Sequence, residues 1–544
     1  GQLYRQFALV IAATALISAI NAVTLKPTQC ALWLRAPVPL EKRNVFYRGF
    51  NRGYDWGERH YAGLIGSMTR HSGIMALAAL ALIGVAVWGL TRLPTAFLPI
   101  EDQGYVLIST QLPDGASKER TDAVMEEVGK IAEATPGVDQ VLTISGISVL
   151  DNNASLQNAG VAYVVLKDWD ERGKEKGQDL LSIYQHLNGA LQSVLSAKTL
   201  VVVPPPIQGV GNASGFTMQV EIRNGVSDYP LLQSLADTIV KNGDAQSSLQ
   251  RLSTPFRSNV PQLAVSVDRI KAETLGIAVS QVFSALSGYV GSSYVTQFNK
   301  FGRTFQVYVQ AASDFRVSPE DIRNLKVKAG DGTMVPLGTV VDVTMTQGPS
   351  LISLYNLYPT ATIVGAPAAG FSSGQALDVM EQIADHTLPP GVGFEWTALS
   401  YQEKAVGGQI YFVFALAMLL VYFVLAGQYE SWILPLAVIL AVPLALLGTV
   451  AVLMAVGAAN NLYTQIGIIL LIALAAKNAI LIVEYAREKR AEGMEILDAA
   501  VEAARLRFRP ILMTSSPLSS ASCRWCSRQA PVHRPANRSA YRSS

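Results

Sequence analysis

The stretch TQIGIILLIALAAKNAILIVEYAREKR, residues 464–490, decides the fold class of this chain. Its apolar part has about the 20 residues that an α-helix needs to cross the hydrocarbon core of a bilayer. Lys477 lies near the middle of that part, and Asn478 follows it. A lysine at this depth costs about 2.5–3.5 kcal/mol or more, so it normally faces a protein interior and finds a partner. Lys477 is either a structural lysine paired within a helix bundle or a charge that helps to move protons or ions, and we favour the second interpretation.

The composition lies between that of a soluble protein and that of a bare bundle of membrane helices. The chain has 544 residues, 15% of them charged, and a mean hydropathy of +0.27. A net charge of +2 gives no reason to expect a nucleic-acid partner, and three cysteines cannot form a disulfide framework. The sequence begins at Gly1 and enters an apolar segment without the features of a secretory signal. We therefore expect a fragment of a longer protein.

Five apolar segments are long enough to cross a lipid bilayer, and a sixth begins at Pro510. The five are residues 7–32, 73–91, 410–426, 432–456 and 466–485. Basic residues crowd the connections at 36–72 and 486–509. When both connections are placed in the cytoplasm, every span alternates in direction. Residues 93–409 then lie outside, which means the periplasm of a Gram-negative cell, and the protein is multi-pass in the inner membrane.

These spans divide the chain into predicted domains. Residues 1–35 and 73–92 are single transmembrane helices, and 408–515 contains the remaining spans. Between the first two, residues 36–72 carry aromatic and apolar side chains at helical spacing among basic ones. That pattern is typical of an amphipathic helix on the cytoplasmic membrane surface. A solvated connecting helix is the alternative, and the sequence favours neither.

The large region between the spans contains an internal repeat. Residues 93–210 show the order β-α-β-β-α-β of a ferredoxin-like unit, and 211–400 repeat it with an insertion at about 262–343. The predicted fold class is thus an α-helical membrane bundle with α+β periplasmic domains. Two similar units side by side suggest a cleft between them. The insertion contains a loop and strand that we expect to reach towards a neighbouring subunit.

Residues 146–160, GISVLDNNASLQNAG, are predicted to form a long polar loop between two strands of the first unit. A loop of this length inside a compact domain is usually functional or disordered. Residues 204–206 are three consecutive prolines, which predict a rigid exit from the first unit into the second.

No motif of an enzyme is present in the sequence. The chain has no phosphate-binding loop with its lysine, no nucleophile elbow and no pair of histidines at metal-ligand spacing. We therefore expect no enzymatic activity, no cofactor and no bound metal. Any transport must be driven by an ion gradient or by another subunit.

Several sequence words resemble the resistance–nodulation–division (RND) multidrug efflux pumps, in particular the AcrB-type exporters of hydrophobic and amphiphilic compounds. They are LYRQF (3–7), LPTAFLPIEDQG (93–104), VLKDW (165–169), LPPGVGFEWTALSYQE (388–403), GQYESW (427–432), AKNAILIVEYAR (476–487) and RLRFRPILMTS (505–515). The resemblance covers roughly the second half of such a pump. It implies a homotrimeric proton/drug antiporter in the lipid bilayer, joined to a periplasmic adaptor protein and an outer-membrane channel.

The resemblance also implies roles for individual residues. Lys477 matches the lysine that pairs with two intramembrane aspartates, Thr514 matches a threonine of the same proton relay, and Arg507 the arginine at its cytoplasmic mouth. Asn478, beside the lysine, is included in this predicted relay. The aspartates belong to a helix that precedes Gly1.

The resemblance makes residues 146–160 the switch loop between two drug pockets. Gly146, Ile147 and Val149 of that loop, with Leu200 and Val202 of the strand before the prolines, are the predicted substrate-binding residues. The loop contains no phenylalanine, and residues 200–203 are aliphatic where multidrug members often have phenylalanine. We therefore expect a different substrate range.

The family pattern breaks at Ser516. Residues 516–544 are basic and rich in serine and arginine, so they cannot cross a bilayer. A single lost base after the codon for Ser515 explains this tail, because a neighbouring reading frame can encode an apolar span.

Two other functions stay open. The first is a membrane-anchored periplasmic binding or assembly module that does not transport. The second is heavy-metal export, which needs clustered methionines or carboxylates, whereas Met218, Met334 and Met345 are scattered along the sequence.

Overall fold

The computed structural model describes residues 2–34, 45–368, 370–407 and 409–527. The first part of the predicted cytoplasmic segment, residues 36–44, and the last part of the tail, residues 528–544, lie outside the described residues. Three helices come first: α1 (Gln2–Trp33), α2 (Val45–Arg70) and α3 (Ser72–Arg92). Both α1 and α3 are long and apolar enough to cross a membrane.

A first α/β unit follows, at residues 105–202. Its elements are β1 (Tyr105–Gln111), α4 (Lys118–Glu133), β2 (Val138–Ser148), β3 (Ala154–Leu166), α5 (Trp169–Arg172), α6 (Leu180–Ala190) and β4 (Lys198–Val202). The strands form one antiparallel sheet in the order β2-β3-β1-β4. Helix α4 begins where the Ser117 side chain accepts a hydrogen bond from the Arg120 amide. Both long helices pack on one face of the sheet, around Ile108, Val128 and Leu187.

The predicted long loop at 146–160 is wrong. Strand β2 continues to Ser148 and β3 begins at Ala154, with Ser148 paired to Ala154. The five-residue connection between them ends in a turn with two consecutive left-handed residues, Asn152 (φ 53°) and Asn153 (φ 62°), which have the φ signs of a type I′ turn. Asparagine tolerates this backbone better than most residues. The polar residues of this stretch therefore occupy the turn and the solvent-facing positions of a hairpin.

A second α/β unit starts with β5 (Phe216–Ile222), α7 (Tyr229–Asp244) and β6 (Leu249–Ser253). The insertion then occupies residues 260–348. Its elements are β7 (Val260–Val267), α8 (Arg269–Thr274), α9 (Val279–Leu286), β8 (Ser293–Lys300), β9 (Arg303–Val309), α10 (Pro319–Asn324), β10 (Lys326–Lys328), β11 (Met334–Pro336) and β12 (Val341–Gly348).

The insertion is a compact body attached by two strands. Strands β7 and β12 pair along their full length and connect it to the second unit. It has its own apolar core, which includes Ile277, Val282 and Leu337. The β8–β9 hairpin projects with exposed aromatic side chains, among them Tyr294, Phe298 and Phe301.

The second unit is completed by β13 (Ser353–Tyr355), β14 (Tyr358–Pro367), α11 (Ser373–Thr387) and β15 (Val392–Trp396). Strand β14 lies between β5 and β6, and β5 also pairs with β15. The sheet has five strands, because the short β13 also pairs with the start of β14. Without β13, the order β6-β14-β5-β15 is second, third, first, fourth in chain order, the same as in the first unit. The sequence analysis did not predict β6, because LQRLS has little apolar alternation.

The chain then enters the membrane part: α12 (Ala398–Gly407), α13 (Gln409–Tyr429), α14 (Leu434–Ile439), α15 (Val442–Val456), α16 (Leu462–Ala491) and α17 (Ile496–Ser527). Residues Leu434–Val456 and Leu462–Ala491 bring the spans found in the described chain to four, and α13 contains a shorter apolar segment, Phe414–Tyr429. The connection predicted at 486–509 is helical except for residues 492–495. Helix α17 also continues past Ser516 into the predicted aberrant tail.

The membrane helices pack against one another in a chain of contacts. Helix α3 contacts α15 at Gly89, where a Cβ atom would lie 2.5 Å from Val450, so this close approach needs glycine. Helix α16 packs on α14, α15 and α17. Helix α17 packs on α2, where Phe508 contacts Tyr54 and Tyr61 and Arg505 pairs with Glu58 at 2.8 Å.

Candidate functional site

A cavity of about 250 Å³ lies where the two α/β units meet the chain that leaves α3. Residues 94–97 are held there by backbone hydrogen bonds: Asn460 donates to the Pro94 carbonyl at 2.8 Å and Leu462 to the Phe97 carbonyl at 3.0 Å. The same segment accepts a hydrogen bond from Gly374 of α11 through the Thr95 carbonyl. The cavity is thus fixed directly above the connection between α15 and α16. Its apolar wall includes Phe97, Leu150, Leu200, Val202, Val364 and Leu399.

The structure brings three of the five predicted substrate-binding residues together. Strand β4 pairs with β1 and places Leu200 and Val202 on one face, where both line the cavity. Val149, in the β2–β3 turn, is buried in an apolar cluster that also contains Leu200 and Val202. Gly146 and Ile147 belong to β2, and neither is among the cavity-lining residues of the described chain.

Several lining residues were not predicted from the sequence. Leu150 lies one position after the predicted Val149, and Phe97 belongs to the quoted word LPTAFLPIEDQG. Glu403 is the last residue of the quoted word LPPGVGFEWTALSYQE, and it also reaches the cavity. An acidic residue shortly before an apolar span was the signal for Glu403, but only the fold shows that α12 carries it to the cavity.

Two charged side chains contribute to the cavity wall. The Glu403 carboxylate accepts a hydrogen bond from the Ser373 hydroxyl at 2.8 Å. Burial raises the pKa of the Glu403 carboxyl to about 7. The Arg251 guanidinium lies over the Tyr184 ring, with 4.2 Å between the carbon atom and the ring centroid.

Polar contacts join the two units beside the cavity. The Arg257 guanidinium pairs with Asp114 of the first unit at 2.6 Å, and both side chains are about one-fifth exposed. The Lys198 ammonium donates to the Ser253 hydroxyl at 3.1 Å. Asp151, at the β2–β3 turn, accepts a hydrogen bond from Ser148 at 2.6 Å. Burial raises the pKa of the Asp151 carboxyl, partly offset by Ser148 and by the charge of Arg257. The interface therefore combines an apolar cavity with a charged edge.

The predicted relay lies in the membrane part, on α16 and α17. Ala476 packs into a cluster with Leu425 and Tyr429 of α13 and Val438 of α14. The adjacent Lys477 is exposed, and Asn478 is half-buried. Within residues 2–34, 45–368, 370–407 and 409–527, no hydrogen bond or ion pair holds the Lys477 ammonium. Lys477 thus lies in an apolar helix with its charge unpaired by this part of the chain.

Arg507 and Thr514 are both on α17. The Arg507 guanidinium lies over the Tyr485 ring of α16 at 4.1 Å, which connects the two helices. The Arg507 Nε atom is buried and has no hydrogen-bond acceptor among the described residues. The Thr514 hydroxyl hydrogen-bonds the Pro510 and Ile511 carbonyls of its own helix at 3.1 and 3.0 Å. No hydrogen bond in the described chain joins Lys477, Arg507 and Thr514 to one another.

No group of three or more histidine, cysteine, aspartate or glutamate side chains that could hold a metal ion occurs among the residues described here.

Comparison with known proteins gives one family and a consistent set of relatives. The model of the AcrB/AcrD/AcrF family matches residues 1–519. The chain is 37% identical over 525 residues to the toluene efflux pump membrane transporter TtgB of Pseudomonas putida, covering 95% of this chain and 49% of the relative. It is 36% identical over 520 residues to the multidrug resistance protein MdtF of Escherichia coli, covering 95% and 50%. The chain therefore spans about half the length of the curated relatives it matches.

Proposed function

The chain belongs to the AcrB/AcrD/AcrF family of RND efflux transporters, and we propose that it supplies the second half of a proton-driven exporter of hydrophobic or amphiphilic compounds. One observation carries this proposal: the exposed, unpaired Lys477 in an otherwise apolar spanning helix. An unpaired ammonium at bilayer depth costs free energy. The side of the helix that carries Lys477 therefore needs an acidic partner. When that partner binds and releases protons, export becomes coupled to the proton gradient.

In this mechanism, Lys477 faces two carboxylates on a helix outside this chain. Two neighbouring carboxylates resist ionising together, and the ammonium stabilises their ionised form. Protonation of the carboxylates releases Lys477, and the helices that carry them shift. Arg507 and Thr514 lie on α17, which packs on α16, so they are placed to respond to that shift. Asn478, next to Lys477, is a further polar member of the proposed relay.

The proposed substrate site is the cavity between the two α/β units. Its wall is mostly apolar, and pockets of this type bind small molecules by burying apolar surface around a few polar groups. Leu200 and Val202 contact the substrate, and Val149 supports them from the apolar cluster behind. We propose that the two units are copies of one ferredoxin-like unit, because their strand orders agree.

We further propose an inner-membrane location with both α/β units in the periplasm. The exposed aromatic hairpin β8–β9 is placed for contact with another subunit of a homotrimer. An adaptor protein and an outer-membrane channel complete the assembly, and α2 lies on the cytoplasmic surface. A second candidate is a membrane-anchored binding module that does not transport by itself, and it is supported by the cavity whose lining residues this chain supplies.

Reconstitution separates the two candidates. The chain alone and a complete transporter that carries it as its second half are placed in proteoliposomes with a pH gradient. We expect substrate movement only with the complete transporter, and collapse of the gradient should stop it. Export that persists after the gradient is collapsed contradicts proton coupling. A complete transporter that binds substrate but moves none supports the binding module.

A further inference from the structure

The charged side chains at the cavity differ in whether they already have interaction partners. Arg251, on β6, is stacked on Tyr184 of the first unit. Lys404, next to Glu403, pairs with Asp378 at 2.8 Å and Glu381 at 2.9 Å. Both cations are therefore engaged with other groups.

Glu403 is the exception. Its carboxylate lines the cavity and accepts hydrogen bonds only from neutral groups, the Ser373 hydroxyl and the Phe97 backbone. In the part of the chain that the structure describes, no cationic side chain forms an ion pair with this carboxylate. A carboxylate has about four lone-pair sites, so with two neutral donors Glu403 retains the capacity to accept from another group. The open side of Glu403 is the cavity.

The groups that face Glu403 come from three elements. Ser373 and Asp378 lie on α11, Lys404 follows Glu403 on α12, and the backbone of Phe97 approaches from the segment after α3. The Asp378 charge disfavours ionisation of Glu403, whereas Ser373, Lys404 and the Phe97 backbone favour it. Burial outweighs these favourable contacts and raises the pKa of the Glu403 carboxyl. A cation in the cavity would supply the positive partner that this carboxylate lacks.

We propose that Glu403 gives the cavity a preference for positively charged amphiphiles, with the cationic group beside the carboxylate and the apolar body against Phe97, Leu200 and Val202. The inference rests on the proposed substrate site and names its ligand class. It requires no movement of the cavity wall, because the carboxylate and the apolar side chains already line the same space.

The pH dependence has a defined sign. Cation binding needs the ionised carboxylate, and a pKa of about 7 leaves Glu403 mostly protonated at pH 6 and mostly ionised at pH 8. The ionised fraction therefore rises about tenfold over this range. Affinity for a permanently charged cation should rise with it, whereas the affinity for an uncharged probe should not change.

The experiment uses the chain in nanodiscs and two probes that fit a small cavity. N-phenyl-1-naphthylamine, which is uncharged and fluorescent, reports occupancy of the cavity. Benzyltrimethylammonium, whose charge does not depend on pH, competes for it. The variant Ala213→Trp fills the cavity wall and defines the background from lipid. Thermal unfolding confirms that each variant is folded.

We expect Glu403→Gln to keep the affinity for N-phenyl-1-naphthylamine and to weaken benzyltrimethylammonium competition by about fivefold at pH 8, as for one partly buried ion pair. In Glu403→Gln, competition by benzyltrimethylammonium should not depend on pH. Glu403→Asp should retain part of the affinity. The control Glu126→Gln removes the same charge from an exposed pair on α4 and should change nothing.

The outcomes separate the inference from the proposed site. Equal competition by the cation in the wild type and in Glu403→Gln, with Ala213→Trp blocking the uncharged probe, overturns the role of Glu403 and leaves the substrate site standing. Binding of the uncharged probe that Ala213→Trp does not affect shows that the cavity is not the substrate site.

Discussion

The cavity and the Lys477 region differ in how far this chain completes them. The cavity has walls from both α/β units and from the segment after α3, and the Arg257–Asp114 and Lys198–Ser253 contacts join the same two units. Lys477, in contrast, is exposed on an apolar helix, with no partner in the described residues. This chain thus encloses the cavity with its own residues, whereas its described part supplies no partner for Lys477. On the proposed function, substrate contact therefore needs this chain alone and energy coupling needs a larger assembly. The predictions below test that division.

The largest effect is expected at Lys477. In a complete transporter, Lys477→Ala should leave the assembly intact and abolish export, because the facing carboxylates lose their counter-charge. Lys477→Arg should not restore export, since a guanidinium differs in shape and does not readily release a proton. Efflux of a fluorescent substrate from cells and native gel electrophoresis measure the two properties.

A matched control lies on the same helix. Lys489, three turns further along α16, is partly exposed and pairs with Glu492 at 2.7 Å. Lys489→Ala should leave export unchanged. Export at the wild-type rate by Lys477→Ala would show that this lysine has only a structural role.

The next effect concerns the Arg257–Asp114 pair between the two units. Removal of one partner of the Arg257–Asp114 pair leaves a partly buried charge without compensation. Arg257→Met or Asp114→Asn alone should lower the free energy of unfolding by about 1–3 kcal/mol, and the double variant by less than the sum. Chemical denaturation of the four proteins measures the coupling.

The comparison for this pair is Lys130–Glu126 on α4, whose side chains are 72% and 69% exposed. The same double-mutant cycle on that pair should show no measurable coupling. A coupling as large as that of Arg257–Asp114 would contradict the importance of burial at the unit interface.

A smaller effect is expected in the β2–β3 hairpin. Asn153 has φ +62°, so Asn153→Ala should cost about 1 kcal/mol of backbone strain, whereas Asn153→Gly should be neutral or stabilising. Hydrogen exchange of the amides near the Ser148–Ala154 pair reports the change. Rapid exchange in the wild type would show a loop instead of a hairpin.

The hairpin also predicts the result of Gly146→Pro. In a loop, that substitution would only stiffen the chain. Gly146 is in fact within β2 at φ +91°, which proline cannot adopt. We therefore expect Gly146→Pro to disrupt the strand and not only to slow export.

A further effect is a pH dependence of stability at Glu403. Its pKa of about 7 in the folded protein lies above the unfolded value of about 4.3. Stability therefore falls as the pH rises from the unfolded pKa through the folded one, because the folded state holds the proton more tightly. Glu403→Gln should raise the unfolding temperature relative to the wild type at pH 8 but not at pH 4. A larger gain at pH 4 would contradict the raised pKa.

The sequence predicts the elements with strong periodicity and fails where context decides. Strand β5 is the clear case, because apolar residues alternate through FTMQVEI and this alternation predicts a strand. Strand β6 was missed because its pairing with β14 supplies what LQRLS lacks. The hairpin was mistaken for a loop because polar residues occupy both its turn and one face.

The same division holds for the candidate site. Lys477 is visible in the sequence because one charge interrupts a long apolar run. Glu403 is not, since an acidic residue before a span is ordinary until the fold shows that α11 and the segment after α3 enclose it. Leu200 and Val202 were inferred from a resemblance, and only the sheet register shows that they share a face.

One measurement tests the central claim most directly, namely that substrate contact is complete in this chain and coupling is not. Binding of N-phenyl-1-naphthylamine is measured for the chain alone, for Lys477→Ala and for Ala213→Trp, all in nanodiscs. The account predicts the same affinity for the chain and for Lys477→Ala, and loss of binding in Ala213→Trp. A Lys477→Ala variant that loses binding as completely as Ala213→Trp would contradict it.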